Sequence, residues 1–227
     1  MRKQPFEILR PFTQNLSVSF FEKEDAPLSD DIVREHLHAQ GLTALHQVHG
    51  SRAICVRKPT SRIIQADALA TDVPGLALTL RIADCQSFIV YAPSHHVVGL
   101  IHAGWRGLVA GVIPSFFRLL KEEWQIRPEE TIVCSAPSLC LACSRFTDPS
   151  TELPTIRPDY FSNNHVDLRA IAKDQLFTLG VMPRSFERMS ECTCCDPQAY
   201  WSYRGGDRDA VQKGMTNMLA CVLSPLV

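Results

Sequence analysis

Three short segments place metal-competent side chains at the ends or interruptions of apolar runs. They are "LHQVHG" with His46 and His49, "RIADCQSF" with Asp84 and Cys85, and "LIHAGWRG" with His102. Imidazole, thiolate and imidazole together suit zinc or, less selectively, copper. Three protein ligands leave one coordination position open, as in a catalytic rather than a structural zinc site. These residues lie far apart in the chain, so only sheet topology can gather them. Spacing alone equally permits Cys85 as a small buried hydrophobe and the histidines as hydrogen-bonded strand ends.

The other candidates are local. Cys192 and Cys195 have Cys-x-x-Cys spacing, and Cys140-x-x-Cys143 supplies a second such pair. A four-thiolate structural zinc would join the two pairs; thiols used as packing residues are the alternative. Asp67 lies in "QADALAT" ahead of a turn at Pro74-Gly75, where a cap or turn carboxylate is also at home. In "YWSYRGGDRD" an arginine, Arg204, precedes two glycines, a pattern able to grip a phosphate or carboxylate. Trp105, Tyr200, Trp201 and Tyr203 can stack on a planar ligand or serve the core. No glycine-rich dinucleotide fingerprint, Walker loop, Gly-x-Ser-x-Gly elbow or His-Glu-x-x-His occurs.

The elements that must position these groups alternate in type. Residues 29–41 read as a helix with Ser29 as cap, Asp30 and Asp31 at its positive end and Gly41 as its stop. "LTALHQV" and "AICVR" read as strands, as do "LALTLRI", "SFIVY", "HVVGLIH" and "TIVCS". Residues 107–124 have helical periodicity, with Pro114 either kinking the helix or opening its second half. Residues 166–180 form an amphipathic helix starting near Asp167 and ending at Gly180, and 209–223 read as a last helix weakened by Gly214. The class is α/β or α+β with a mixed sheet.

A formal net charge of −1 gives no footprint for nucleic acid or an anionic membrane. No apolar run reaches the roughly 18 residues of a membrane span. The N-terminal "MRKQPFEILRPF" lacks the apolar stretch of a secretory signal. Nine cysteines, an odd number, then favour reduced thiols or metal ligands over a disulfide framework. The expected compartment is cytoplasmic.

Taken in order, Gln47-Val48-His49-Gly50, "ADALAT", Ala83-Asp84-Cys85, His102-Ala103-Gly104-Trp105-Arg106-Gly107, "APSLCLAC" and "CTCCDPQAYWSYR" resemble the laccase-domain family. Its members are also described as multifunctional purine nucleoside phosphorylases. The resemblance covers about residues 40–221. It implies a compact α/β/α layered single catalytic domain with a mixed sheet, of the CNF-toxin and YfiH type, spanning 1–227. It implies zinc, with copper as the alternative, on His49, Cys85 and His102. The partners would be a purine nucleoside and phosphate: adenosine or inosine, extending to methylthioadenosine, cleaved to free base and ribose 1-phosphate. Adenosine deamination is a further implied activity.

Deamination would need a carboxylate to shuttle protons, for which Asp84 and Asp67 are the candidates. Phosphorolysis would need cations for the oxyanion, a role suited to Arg106 and Arg204, with Gln47 as a further substrate contact. Competing readings are a hydrolase with Cys85 as nucleophile and His102 as base, a polyphenol oxidase, and a metal-binding homologue with reduced catalysis. The chain departs from the family pattern at three places. Phe20 and Phe21 stand where a Thr-Arg is usual, Ala136-Pro137-Ser138-Leu139-Cys140-Leu141 replaces a Gly-Pro-x-Ile-Gly-Pro, and Gly205 follows Arg204 where a second arginine is expected.

Overall fold

The computed structural model describes residues 1–26 and 29–225. Its centre is a pair of stacked sheets. The first runs β1 (Arg2–Lys3), β2 (Leu16–Phe21), β13 (Asn217–Leu223), β6 (Leu76–Ile82), β3 (Gly41–Ala44). The second runs β12 (Phe186–Arg188), β9 (Ile132–Ser135), β7 (Gln86–Ala92), β8 (Val97–Ala103), β5 (Ala68–Thr71), β4 (Ala53–Cys55). Both are mixed: β3–β6, β4–β5 and β12–β9 pair in parallel, whereas the β2–β13–β6 and β9–β7–β8–β5 ladders are antiparallel. The one-turn helix α4 (Pro149–Glu152) precedes a separate two-stranded ribbon of β10 (Phe161–Ser162) and β11 (His165–Val166).

Alternating side chains explain the stacking. Leu16, Val18 and Phe20 of β2 with Leu219 and Cys221 of β13 meet Leu69, Ile89, Tyr91, Val98 and Leu100 of the other sheet. The opposite face of the second sheet packs under α3 (Val112–Trp124) and α5 (Leu168–Leu179), through Phe88, Val90, Ile101, Phe116, Phe117, Ile171 and Leu176. The outer face of the first sheet packs Met218, Ala220 and Val222 against Val33 and Leu37, at α1 (Asp30–His36) and just beyond it. Each such fully buried large side chain contributes about 1.5–3 kcal/mol. The mixed α/β class expected from the sequence holds, with two sheets between the helices. Among the described residues no helix is long and apolar enough to cross a membrane.

Three local expectations need correction or refinement. Residues 209–223 are not one helix: α6 covers only Arg208–Gln212, Gly214 turns in the left-handed region at φ 91°, and β13 follows as a central strand. A strand buried on both faces is a continuous apolar run, which periodicity does not separate from a buried helix. The first helix ends at His36 rather than at Gly41, which opens β3; Ser29 caps the helix by accepting from Ile32 N at 3.2 Å. The helical stretch from 105 is broken at Gly111 (φ 81°) into α2 (Trp105–Ala110) and α3, so Pro114 sits harmlessly in the first turn of α3.

The topology delivers the chemistry-bearing residues to one end of the sheet pair. His49 follows β3, Asp67 precedes β5, Asp84 and Cys85 form the crossover from β6 in one sheet to β7 in the other, and His102 is near the end of β8.

Candidate metal centre

The donor atoms of His49, Cys85 and His102 all lie within 4.8 Å of one another. The Cys85 Sγ–His49 Nδ1 separation is 4.0 Å. A tetrahedral zinc with bonds of about 2.0–2.3 Å asks for ligand–ligand edges of about 3.6 Å, so a small inward movement suffices. His102 is buried, Cys85 half-buried and His49 exposed, so the set opens to solvent on one side. The backbone is shaped for this meeting. A Cβ on Gly104 would stand 2.9 Å from His49 Nδ1 and 3.0 Å from Cys85 Sγ, so only glycine leaves the space. His49 (φ 58°) and Asp84 (φ 87°) both sit in the left-handed region, a strained choice that concentrates at functional sites.

Asp67 organises the centre from behind. It is fully buried; its Oδ1 lies 2.8 Å from His102 Nδ1 and accepts from His49 N at 2.9 Å. Its Oδ2 accepts from Gly50 N at 2.7 Å and Val48 N at 3.3 Å. A carboxylate only accepts, so Nδ1 of His102 carries the proton and Nε2 is left for the ligand role. Burial pushes the Asp67 carboxyl up, but His102 and the N–H groups of Gly50 and His49 outweigh it and hold it below the usual range.

Burial likewise favours a neutral Cys85 thiol, yet His102 and then His49 draw it well down toward the thiolate. Burial disfavours a charged His102, but Asp67 and Cys85 together raise it. The two shifts together favour a thiolate–imidazolium pairing of Cys85 with His102.

Asp84, the other expected acid, lines the same groove, but both of its oxygens are engaged by the chain. Its Oδ1 accepts from Thr193 Oγ1 at 2.8 Å and Ser202 Oγ at 2.6 Å, and its Oδ2 from Arg204 N at 2.7 Å. It anchors the 193–205 segment beside Cys85. Gln47 is equally committed: Nε2 donates to Arg81 O at 2.8 Å and Oε1 accepts from Arg81 N at 2.9 Å, stitching its loop to β6.

The centre lies in a groove of about 1420 Å³. Arg106 reaches its rim with the guanidinium 4.2 Å from the Trp105 ring, and Arg204 lies 5.6 Å from Phe146 while donating to Arg145 O. Trp105, Phe146 and Tyr203 supply aromatic wall, whereas Tyr200 is core and Trp201 packs beneath Lys23, outside the groove. His46 lines the rim without joining the ligand set. Sequence reasoning missed Arg62, Arg81, Phe146 and Arg208 as lining residues. Arg81 and Arg208 lie inside the segments quoted for Cys85 and Arg204 but carry no spacing signal of their own, and only tertiary folding makes the four neighbours.

Comparisons with known proteins give the chain a family and a fold. Residues 22–222 match the family described as multi-copper polyphenol oxidoreductase laccase. Over 152 residues the chain is 32% identical to purine nucleoside phosphorylase YlmD of Geobacillus stearothermophilus, and over 148 residues 30% identical to a purine nucleoside phosphorylase of Bacteroides thetaiotaomicron. Each match takes in 61% of this chain and only about half of the relative, 54% and 55%. Adenosine deaminase RL5, from an unknown prokaryotic organism, is 24% identical over 67% of this chain and 62% of its own length. The fold matches the crystal structure of YlmD from Geobacillus stearothermophilus with a TM-score of 0.77 at 22% identity, covering 95% of this chain and 94% of that one. It matches YfiH of Bacillus licheniformis with a TM-score of 0.78 at 19% identity, over 92% and 93%. With the family match running from residue 22 to residue 222, the chain belongs to the multi-copper polyphenol oxidoreductase laccase family.

Proposed function

We propose that the groove is the active site of a zinc-dependent purine nucleoside phosphorylase, with His49, Cys85 and His102 as the metal ligands. The observation that carries this reading is the convergence of three ligands, oriented by Asp67, at the floor of a groove rimmed by arginines and aromatic rings. A thiolate and two imidazoles are donors that zinc favours, and copper accepts them too. A zinc ion bound there supplies an electrophilic centre with one position open to substrate.

The chain's own residues do the rest. Trp105, Phe146 and Tyr203 offer ring faces to the purine. Arg106 and Arg204 hold phosphate against the sugar and offset its charge as it attacks C1′. The C1′–N9 bond breaks, its electron pair leaves with the base, and ribose 1-phosphate remains. Asp67 keeps His102 in one tautomer throughout, and Asp84 fixes the segment that carries Arg204; neither carboxylate is placed to shuttle a proton to substrate. That arrangement favours phosphorolysis over deamination as the principal activity.

The test is product analysis on adenosine and inosine with and without inorganic phosphate. Base and ribose 1-phosphate forming only with phosphate is the expected result; phosphate-independent base release, or inosine from adenosine as sole product, contradicts it. The proximity of Cys85 to His102 favours one further reading, a cysteine hydrolase. Full activity in metal-free protein, abolished by alkylating Cys85, would select it.

A further inference from the structure

Away from the groove ligands, a second cluster of thiols takes no part in the chemistry described. We propose that Cys140, Cys143, Cys192 and Cys195 hold a structural zinc ion with a closed, all-thiolate shell. The four sulfurs lie within 4.8 Å of one another. Cys143 and Cys195 are 3.5 Å apart, Cys140 and Cys195 3.8 Å. A tetrahedron with zinc–sulfur bonds of about 2.3 Å has edges of about 3.8 Å.

The backbone presents the pairs on two turns. Cys143 N donates to Cys140 O at 3.2 Å, closing a 3-10 turn over Leu141–Cys143, and Asp196 N donates to Cys192 O at 3.2 Å. Cys140 N also donates to Cys192 Sγ at 3.2 Å. A sulfur that accepts a backbone N–H from the other pair is one the fold treats as an acceptor, as a bound thiolate must be. Arg169 donates to the carbonyls of both Ser138 and Glu191, just ahead of each pair, and so pre-sets the distance between the turns.

Packing does not account for the cluster. Cys134 and Cys221, which are packing cysteines, have no exposure and sit among apolar neighbours. Of the four, only Cys192 is buried; Cys140 and Cys143 are half-buried and Cys195 is exposed. Sulfur left at a surface in mutual contact has little apolar area to gain. Binding is acid–base chemistry with no redox step: four thiols give up four protons and four zinc–sulfur bonds form.

The position gives the ion a job. Just past Cys143 come Ser144 and Phe146, and after Cys195 come Tyr203 and Arg204, all lining the groove. Thr193, inside the second turn, holds Asp84 beside Cys85. A closed metal centre here staples two groove walls that have no shared strand. The inference stands apart from the reading of the groove.

The experiment uses Cys85→Ser protein, so that the groove contributes no thiolate. Stripped of metal under reductant and titrated with Co²⁺, it is expected to bind about one ion per chain with the intense visible and sulfur-to-cobalt charge-transfer absorption of a tetrahedral tetrathiolate. Adding Cys195→Ser, at an exposed position, is expected to abolish that spectrum, whereas Cys194→Ala leaves it unchanged. Wild-type protein titrated alongside reports the same signal independently of the variants' folding. No tetrathiolate band in the wild type, a band insensitive to Cys195→Ser, or a disulfide found by mass spectrometry within the four under reductant would overturn the proposal.

Discussion

In the groove, three ligands arrive from residues 49 to 102, carried by a loop, a crossover between sheets and a strand. At the surface, four ligands arrive as two Cys-x-x-Cys turns with nothing but sulfur among them. The first cluster mixes nitrogen with sulfur, keeps one side open and has a buried carboxylate behind one ligand. The second has a backbone N–H on one sulfur in place of a carboxylate and fills all four positions from the protein. Ligand count and what supports the ligands thus separate a centre built to meet a substrate from one built to hold loops.

Variants can break this contrast or sharpen it. The largest effect is expected from Cys85→Ser, which removes the only thiolate of the groove centre. Nucleoside cleavage should fall further than the roughly 10–100-fold typical of an outer-shell change, with the surface cluster still loaded, as read by activity and metal content together. Asp67→Asn comes next. It keeps the shape of the side chain but turns an acceptor for His102 and three N–H groups into a weaker one. Metal affinity of the groove should drop roughly 10–100-fold in a competitive chelator titration. Retention of wild-type affinity would show that His102 needs no carboxylate behind it.

Cys195→Ser should leave the groove ligands filled while lowering the melting temperature, by about 2–4 °C for each kcal/mol lost in a chain of this size. Equal loss of metal from both centres would mean that the two clusters fold as one unit. The smallest effect is expected from Arg106→Ala. The side chain is exposed, which puts its charge-assisted contact at the lower end of about 1.5–3 kcal/mol, so KM for phosphate should rise roughly tenfold with kcat less affected. A kcat loss at unchanged KM would place Arg106 at the transition state instead.

The sequence made some of this visible for physical reasons that can be named. Cys-x-x-Cys pairs are local, so Cys140, Cys143, Cys192 and Cys195 were readable as a possible four-thiolate set before any fold. His49, Cys85 and His102 were not, because their spacing carries no signal; the order of motifs and the resemblance they bear singled them out. The support for these ligands was hidden too. Asp67 reads as a turn or catalytic acid until β5 and β8 pair and bring it to His102 Nδ1. Asp84 looks like a reactive neighbour of Cys85, yet its left-handed backbone aims the carboxylate into the 193–205 segment. β13 reads as helix because "NMLACVL" is apolar on both faces, and a strand sandwiched between β2 and β6 has no polar side to betray its period.

Anomalous diffraction at the zinc edge, on crystals grown from metal-loaded protein, tests the contrast most directly. The account predicts two peaks per chain. One sits among His49, Cys85 and His102 with a non-protein fourth ligand, and the other among the four sulfurs of Cys140, Cys143, Cys192 and Cys195. A groove without a peak, or a peak there bound by Asp84 or His46 in place of a member of the triad, would contradict it.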